Sequence, residues 1–207
     1  MTGSSAKSLT LILGGARGGK SAFAQALAAR RSERVTFLAT AEAGDEEMRA
    51  RIEQHRVSRP GHWLTIESPS CVAEAASKAA RQSEVILLDC LALLVSNLLL
   101  AEGEDYAAAE ARVDRELADL LAAYQAGAAS LIVVSNEVGM GVVPASPLGR
   151  VYRDLLGRAN AQLARAADEV YVMVAGLAME IKASGLAITW ELENGTARAD
   201  NCSNSGS

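Results

Sequence analysis

Eight consecutive residues, Gly14-Gly15-Ala16-Arg17-Gly18-Gly19-Lys20-Ser21, fit the pattern G-x-x-x-x-G-K-[ST]. The chemistry this spacing serves is the binding of a nucleoside triphosphate. Glycines let backbone amides turn inward around phosphate oxygens, and the start of the following helix adds its partial positive charge. Lys20 would then reach the outer phosphates, and Ser21 would hold Mg2+. A glycine-rich turn with no ligand is the alternative. The pattern lies between an apolar run that reads as a strand and a helical stretch, which is the context a phosphate loop requires.

Two further residues could join that chemistry. Val85-Ile86-Leu87-Leu88-Asp89 is an apolar run ending in a carboxylate, as expected of the acidic element that orients Mg2+ in such enzymes. An aspartate there could equally cap the next helix. In Asp45 to Arg56, Met48, Ile52 and His55 are spaced i, i+4, i+7, which puts the imidazole on an inward stripe of a predicted helix. Neutral imidazole can attack phosphorus to give a covalent phosphoramidate. A core histidine has the same spacing, so both roles for His55 stand at this point.

These residues need a frame, and the apolar runs supply it. Leu9 to Leu13, Val35 to Leu38, Val85 to Leu88, Leu131 to Val134 and Val170 to Val174 read as strands. Lys20 to Ala29, Glu46 to Arg56, Tyr106 to Ala123 and Leu148 to Ala167 read as helices. The alternation predicts βαβ units, and strands apolar throughout predict a sheet covered on both faces. The fold class is therefore α/β: a P-loop NTPase-like three-layer sandwich with a mostly parallel sheet. In such sheets ligands bind beyond the carboxyl ends of the strands. Gly14-Gly15, Thr40, Asp89, Ser135-Asn136-Glu137 and Gly176 should share that edge. Leu186 to Leu192, before Asn194-Gly195, reads as an edge strand entering a tight turn.

With 207 residues, the chain is expected to form one domain over residues 1–200, with a frayed polar tail at 201–207. A net charge of -5 argues against a general nucleic-acid surface. The longest strongly apolar run, Val85 to Leu100, is broken by Asp89, Ser96 and Asn97, short of the roughly 20 apolar residues a membrane helix needs. Cys71, Cys90 and Cys202 are far apart and lack zinc-ligand spacing, so they read as ordinary thiols, and the expected location is the cytoplasm.

The phosphate loop, Ala39-Thr40-Ala41, Asp45 to Met48, Arg51-Ile52, His55 with Arg59-Pro60 and Trp63, Leu88-Asp89-Cys90-Leu91, Ser96-Asn97-Leu98-Leu99 and Ser135-Asn136-Glu137-Val138-Gly139-Met140-Gly141 together resemble one family. It is the bifunctional adenosylcobinamide kinase/adenosylcobinamide-phosphate guanylyltransferase family of cobalamin biosynthesis. The likeness runs from about Leu9 to about Lys182. It implies phosphorylation of adenosylcobinamide and then transfer of GMP from GTP to adenosylcobinamide phosphate, giving adenosylcobinamide-GDP. By the same resemblance His55 is the residue that becomes guanylylated. Nucleotide contacts, to GTP and ATP as substrates, fall on Gly14, Gly15, Ala16, Arg17, Gly18, Gly19, Lys20, Ser21, Ala39, Thr40, Ala41, Arg56, Val57, Ser58, Arg59, Glu67 and Asp89. Glu67 is the candidate base or ribose contact, Ser21 and Asp89 are the candidate Mg2+ ligands, and the resemblance implies a homotrimer.

The sequence departs from the family pattern at three positions: Gly18 stands where serine is usual, and Ala92 and Leu94 where threonine and tryptophan are common. Two competing readings remain at this stage, a small-molecule kinase with a structural His55 and a nucleotide-dependent switch.

Overall fold

A computed structural model describes residues 6–42, 46, 49, 53, 56, 57, 59–183, 191–193 and 196–198. The central sheet has seven strands: β1 (Leu9–Gly14), β2 (Val35–Ala39), β3 (Leu64–Glu67), β4 (Val85–Asp89), β5 (Ser130–Val134), β6 (Glu169–Val174) and β7 (Leu177–Glu180). Their order is β3-β2-β4-β5-β1-β6-β7, parallel throughout except that β7 runs antiparallel to β6. The chain crosses over through α1 (Lys20–Arg31), α2 (Val72–Ala79), α3 (Leu91–Ala101), α4 (Tyr106–Ala126) and α5 (Pro147–Ala166).

The layers follow from the period of two along each strand. Leu9, Leu11, Leu38, Leu88, Leu131 and Val133 pack against α2, α3, α4 and α5. Ile12, Val35, Phe37, Leu87, Ile132 and Val134 face the opposite side, where Ala24 and Ala28 of α1 and the Trp63 indole cover them. The predicted three-layer sandwich is thus present, with unequal outer layers.

Helix starts show two distinct solutions. Asp105 caps α4 by accepting from Ala108 N, and Ser146 caps α5 by accepting from Gly149 N, with Pro147 preset for the first turn. By contrast α1 begins at Gly19 (φ 89°) with no side-chain cap and no acidic residue in its first turn. The amides at its start therefore receive no cap from the Gly19 position, which suits an incoming phosphate.

Several elements escaped the sequence pattern. α3 (LALLVSNLLLA) is buried over most of its circumference, so it lacks the one-sided period of a surface helix and merges with β4 in the apolar run. α2 is only 8 residues long, and β3 is a 4-residue edge strand that is mostly exposed. The strand expected over Leu186 to Leu192 is described only at its end. Positions 186–190, 194 and 195 lie outside the described residues. β8 (Glu191–Glu193) pairs antiparallel with β9 (Thr196–Arg198) in a separate two-stranded sheet, and the seven-stranded sheet ends instead at β7. Among the described residues no helix is long and apolar enough to cross a membrane.

Candidate active site at the carboxyl edge of the sheet

The loop after β1 depends on glycine where the backbone leaves the region open to other residues. Gly14 has φ 148°, and a Cβ there would stand 2.6 Å from the Met173 carbonyl oxygen on β6. Gly19 also has positive φ, as does Arg17 (57°). At Gly18 a Cβ would lie 3.1 Å from the Gly15 carbonyl oxygen, so the serine usual in the family would fit only after a small shift. The Gly15 carbonyl accepts from Lys20 Nζ at 2.7 Å and from the Gly18 amide at 3.3 Å.

Lys20 is only 7% exposed. Burial pulls its pKa below the ordinary lysine value, and neighbouring Cys90 and Asp89 oppose that shift. The loop borders a cavity of about 480 Å³, lined on one side by Ala16 to Ser21. Asp89 and Cys90 line it from the end of β4, and Val134 and Asn136 from the end of β5. Arg56, Arg59 and Glu67 close the far side. Asp89 does not take the capping role: the residue at the N-cap of α3 is Cys90, which makes no side-chain cap.

Arg59 is a second, half-buried cation at the site. Its guanidinium carbon lies 3.5 Å from the Phe37 ring centroid, and its Nε is buried without a hydrogen-bond partner. Burial lowers its pKa, Asp89 and Glu67 act in the opposite direction, and Arg56 adds to the lowering. Cys90 is driven the other way: burial, with help from Asp89, raises its thiol pKa to about 11.

The expected nucleotide contacts therefore divide. Ala16 to Ser21, Ala39, Ala41, Arg56, Arg59, Glu67 and Asp89 line one cavity. Gly14 and Gly15 shape the loop behind it. Thr40 was expected among the contacts and does not line the cavity. It is fully buried: its hydroxyl donates to the Cys90 carbonyl (2.7 Å) and accepts from the Cys90 amide (2.8 Å), and Asn97 Nδ2 donates to its carbonyl (2.9 Å). Alternation along the strand end sends Ala39 and Ala41 one way and Thr40 the other. Val57 is 77% exposed and also does not line the cavity. His55 and Ser58 lie outside the described residues. Flanking positions Glu46, Arg49, Glu53, Arg56 and Val57 are helical and exposed.

Phe37, Cys90, Leu93 and Asn136 also line the cavity, without having been assigned a contact from the sequence. Of the three family departures, Ala92 and Leu94 are 1% exposed on the core-facing side of α3, and Leu93 is the residue of that turn that lines the cavity.

Comparison with known proteins bears on the fold and on the family. FlaH, a flagellar accessory protein from Methanocaldococcus jannaschii, superposes with a TM-score of 0.50 at 17% identity, covering 97% of this chain and 93% of that one. That likeness bears on the fold alone. Closer in sequence are two proteins named as bifunctional adenosylcobalamin biosynthesis proteins. CobU of Escherichia coli K12 is 44% identical over 181 residues, 84% of this chain and 99% of that protein. CobP of Pseudomonas aeruginosa is 42% identical over 176 residues, 85% of this chain and 98% of that protein. Residues 10–181 match the family described as cobinamide kinase / cobinamide phosphate guanyltransferase. The chain belongs to that family and is a bifunctional transferase.

Proposed function

We propose that this chain phosphorylates the aminopropanol hydroxyl of adenosylcobinamide and then joins GMP to the resulting phosphate through a guanylylated His55. In the kinase step the hydroxyl oxygen attacks the γ-phosphorus, the bond to the β-phosphate oxygen breaks, and nucleoside diphosphate leaves with the proton passing to solvent. In the second step an imidazole nitrogen attacks the α-phosphorus of GTP and pyrophosphate leaves. A phosphate oxygen of adenosylcobinamide phosphate then attacks the same phosphorus, the P–N bond breaks, and adenosylcobinamide-GDP is released.

The observation that carries this reading is the cavity that gathers Lys20, Asp89, Arg59 and the uncapped start of α1. Preorganised positive groups aimed at transferring phosphate are what both steps need. Arg56, the residue after His55 in sequence, lines the same cavity. Cys90, the cavity's thiol, holds its proton to about pH 11, which leaves the imidazole as the better nucleophile near neutrality. Mg2+ would be held by Ser21 and Asp89, which both line the cavity, because this ion takes one or two protein oxygens and completes its shell with phosphate and water. When bound it would neutralise charge on the transferring phosphate. Glu67 would contact the guanine base or ribose.

The reading extends to a cytoplasmic location and a homo-oligomer, a trimer by family resemblance. Exposed apolar side chains on the β6–β7 hairpin, Val174, Leu177 and Met179, support association, and light scattering on the intact protein measures it.

The mechanism is tested with α-labelled and γ-labelled GTP, with and without adenosylcobinamide. Wild type should retain α-label through denaturation and lose it in acid but not in mild alkali, as a P–N bond does. His55→Ala should retain none while still passing γ-label to adenosylcobinamide. Alpha-label persisting in His55→Ala, or never found in wild type under turnover conditions, would overturn the covalent role of His55 and return it to the core.

A further inference from the structure

The sheet order puts β5 between β1, which carries the phosphate loop, and β4, which carries Asp89. The residue that leaves β5 toward the ligand edge therefore lies between the two phosphate-handling elements. The alternation seen at Thr40 recurs there: Ser135 is fully buried and Asn136 lines the cavity. Among the described residues the Asn136 carboxamide makes no hydrogen bond.

Its backbone, by contrast, is held from beneath. Asn160 sits on the apolar face of α5 beside Leu156, Ala159 and Leu163, and is only 4% exposed. A buried carboxamide on such a face is costly unless its polar atoms are bonded, and here both are. Asn160 Nδ2 donates to the Asn136 carbonyl at 3.0 Å, and Asn160 Oδ1 accepts from Ser135 Oγ at 2.6 Å. A carbonyl can only accept, so the amide orientation of Asn160 is fixed by the network. The next residue ties the same turn to the phosphate loop, since the Glu137 amide donates to the Gly14 carbonyl at 3.1 Å.

We propose that Asn136 is a substrate-contacting residue of the kinase step, its carboxamide donating to a terminal phosphate oxygen of the bound triphosphate, and that Asn160 is the positioning residue that aims it. The inference rests on the proposed kinase reaction at this cavity. A diphosphate would lack the terminal phosphate oxygen to which Asn136 would donate, so the contact should separate the two nucleotides.

The test measures equilibrium binding of Mg·GTP and Mg·GDP in a His55→Ala background, where guanylylation cannot consume the GTP, together with γ-label transfer to adenosylcobinamide. Asn136→Ala should weaken GTP by about tenfold to a hundredfold, the worth of one hydrogen bond to a charged group, while GDP affinity holds. Asn160→Asp keeps an acceptor for Ser135 but removes the donor to Asn136, and should lower the same GTP/GDP ratio. The double variant should be no worse than Asn136→Ala, because Asn160 acts through Asn136. A purely structural Asn160 would weaken both nucleotides together and leave their ratio unchanged; Asn160→Ala provides a second, uncharged variant for that comparison. An unaltered ratio in Asn136→Ala overturns the contact, and additive losses in the double variant overturn the positioning role. Should wild type fail to pass γ-label to adenosylcobinamide, the kinase reading falls, while the GTP/GDP ratio still decides the phosphate contact.

Discussion

Arg59 sits over Phe37, its guanidinium carbon 3.5 Å from the ring centroid, so a residue on the loop before β3 packs against one from the middle of β2. The ring supports the cation without taking up its donors. The stacked face is desolvated, Nε has no partner, and burial disfavours the charged form, so an incoming phosphate would relieve a cost already present in the folded protein.

Arg59→Lys should therefore behave almost as poorly as Arg59→Ala. A lysine keeps the charge but has neither the planar face to stack on Phe37 nor the paired donors to grip phosphate. We expect GTP affinity to fall by roughly tenfold to a hundredfold in both, the worth of one charged hydrogen bond. Phe37→Leu, which keeps an apolar core residue but no ring, should lose part of this affinity. Calorimetric titration gives the three values, and an Arg59→Lys protein with wild-type affinity would show that the stacking has no role.

Lys20 calls for a different variant from the one its motif suggests, because the side chain is buried rather than exposed. Lys20→Met preserves most of the stem's packing and removes the ammonium. Loss of a preorganised donor at the phosphate should cost on the order of 10²-fold or more in turnover. Stability should move the opposite way. The folded pKa of Lys20 is lowered, so between that value and 10.5 the unfolded chain binds more protons, and wild-type stability rises with pH across this window. Below the window the charged group is a burden that Lys20→Met lacks. Denaturant titrations from neutral to alkaline pH should show the variant at least as stable at neutrality, with its advantage shrinking as pH rises.

Asp89→Asn should raise the Mg2+ concentration needed for turnover, since a neutral amide is a poorer ligand for a hard cation. The capping alternative makes no competing claim, because Cys90 occupies the N-cap of α3. The carboxylate also favours the charged forms of Lys20 and Arg59, so part of the loss should persist at saturating Mg2+. Activity measured against Mg2+ separates these components. An unchanged half-saturating concentration would remove Asp89 from the metal site.

Legibility of the site tracked how local each determinant is. The phosphate loop and Asp89 were readable because one short segment holds both the strand and the residue that leaves it. Thr40 does not line the cavity although its neighbours Ala39 and Ala41 do; alternation fixes which of three successive residues turns inward, but the register is set by the pairing of β2 with β4. Arg59 over Phe37 and Asn160 beneath Asn136 join residues far apart in sequence, and no short pattern encodes either pairing. α3 was hidden for a different reason. With both sides packed, its sequence carries no polar face to mark the helix.

Cys90 should be silent toward alkylating reagents that modify Cys71. Its thiol, raised to about 11 by burial and by Asp89, is ionised to only about 10⁻³ at pH 8, whereas Cys71 is exposed. Iodoacetamide at that pH, followed by peptide mass analysis, should mark Cys71 in the folded protein and Cys90 only after denaturation. The same shift has a stability consequence of opposite sign to that of Lys20. Between pH 9.0 and about 11 the unfolded chain has released this proton and the folded protein has not, so stability falls as pH rises through that window. Cys90→Ala should lose less stability than wild type over the same span, and the difference between the two proteins isolates the thiol from every other alkaline group. Equal alkylation rates for Cys71 and Cys90 at pH 8, or parallel stability profiles for the two proteins from pH 9 to 11, would show that Cys90 ionises as an ordinary thiol, making it a competitor to His55 for the covalent step.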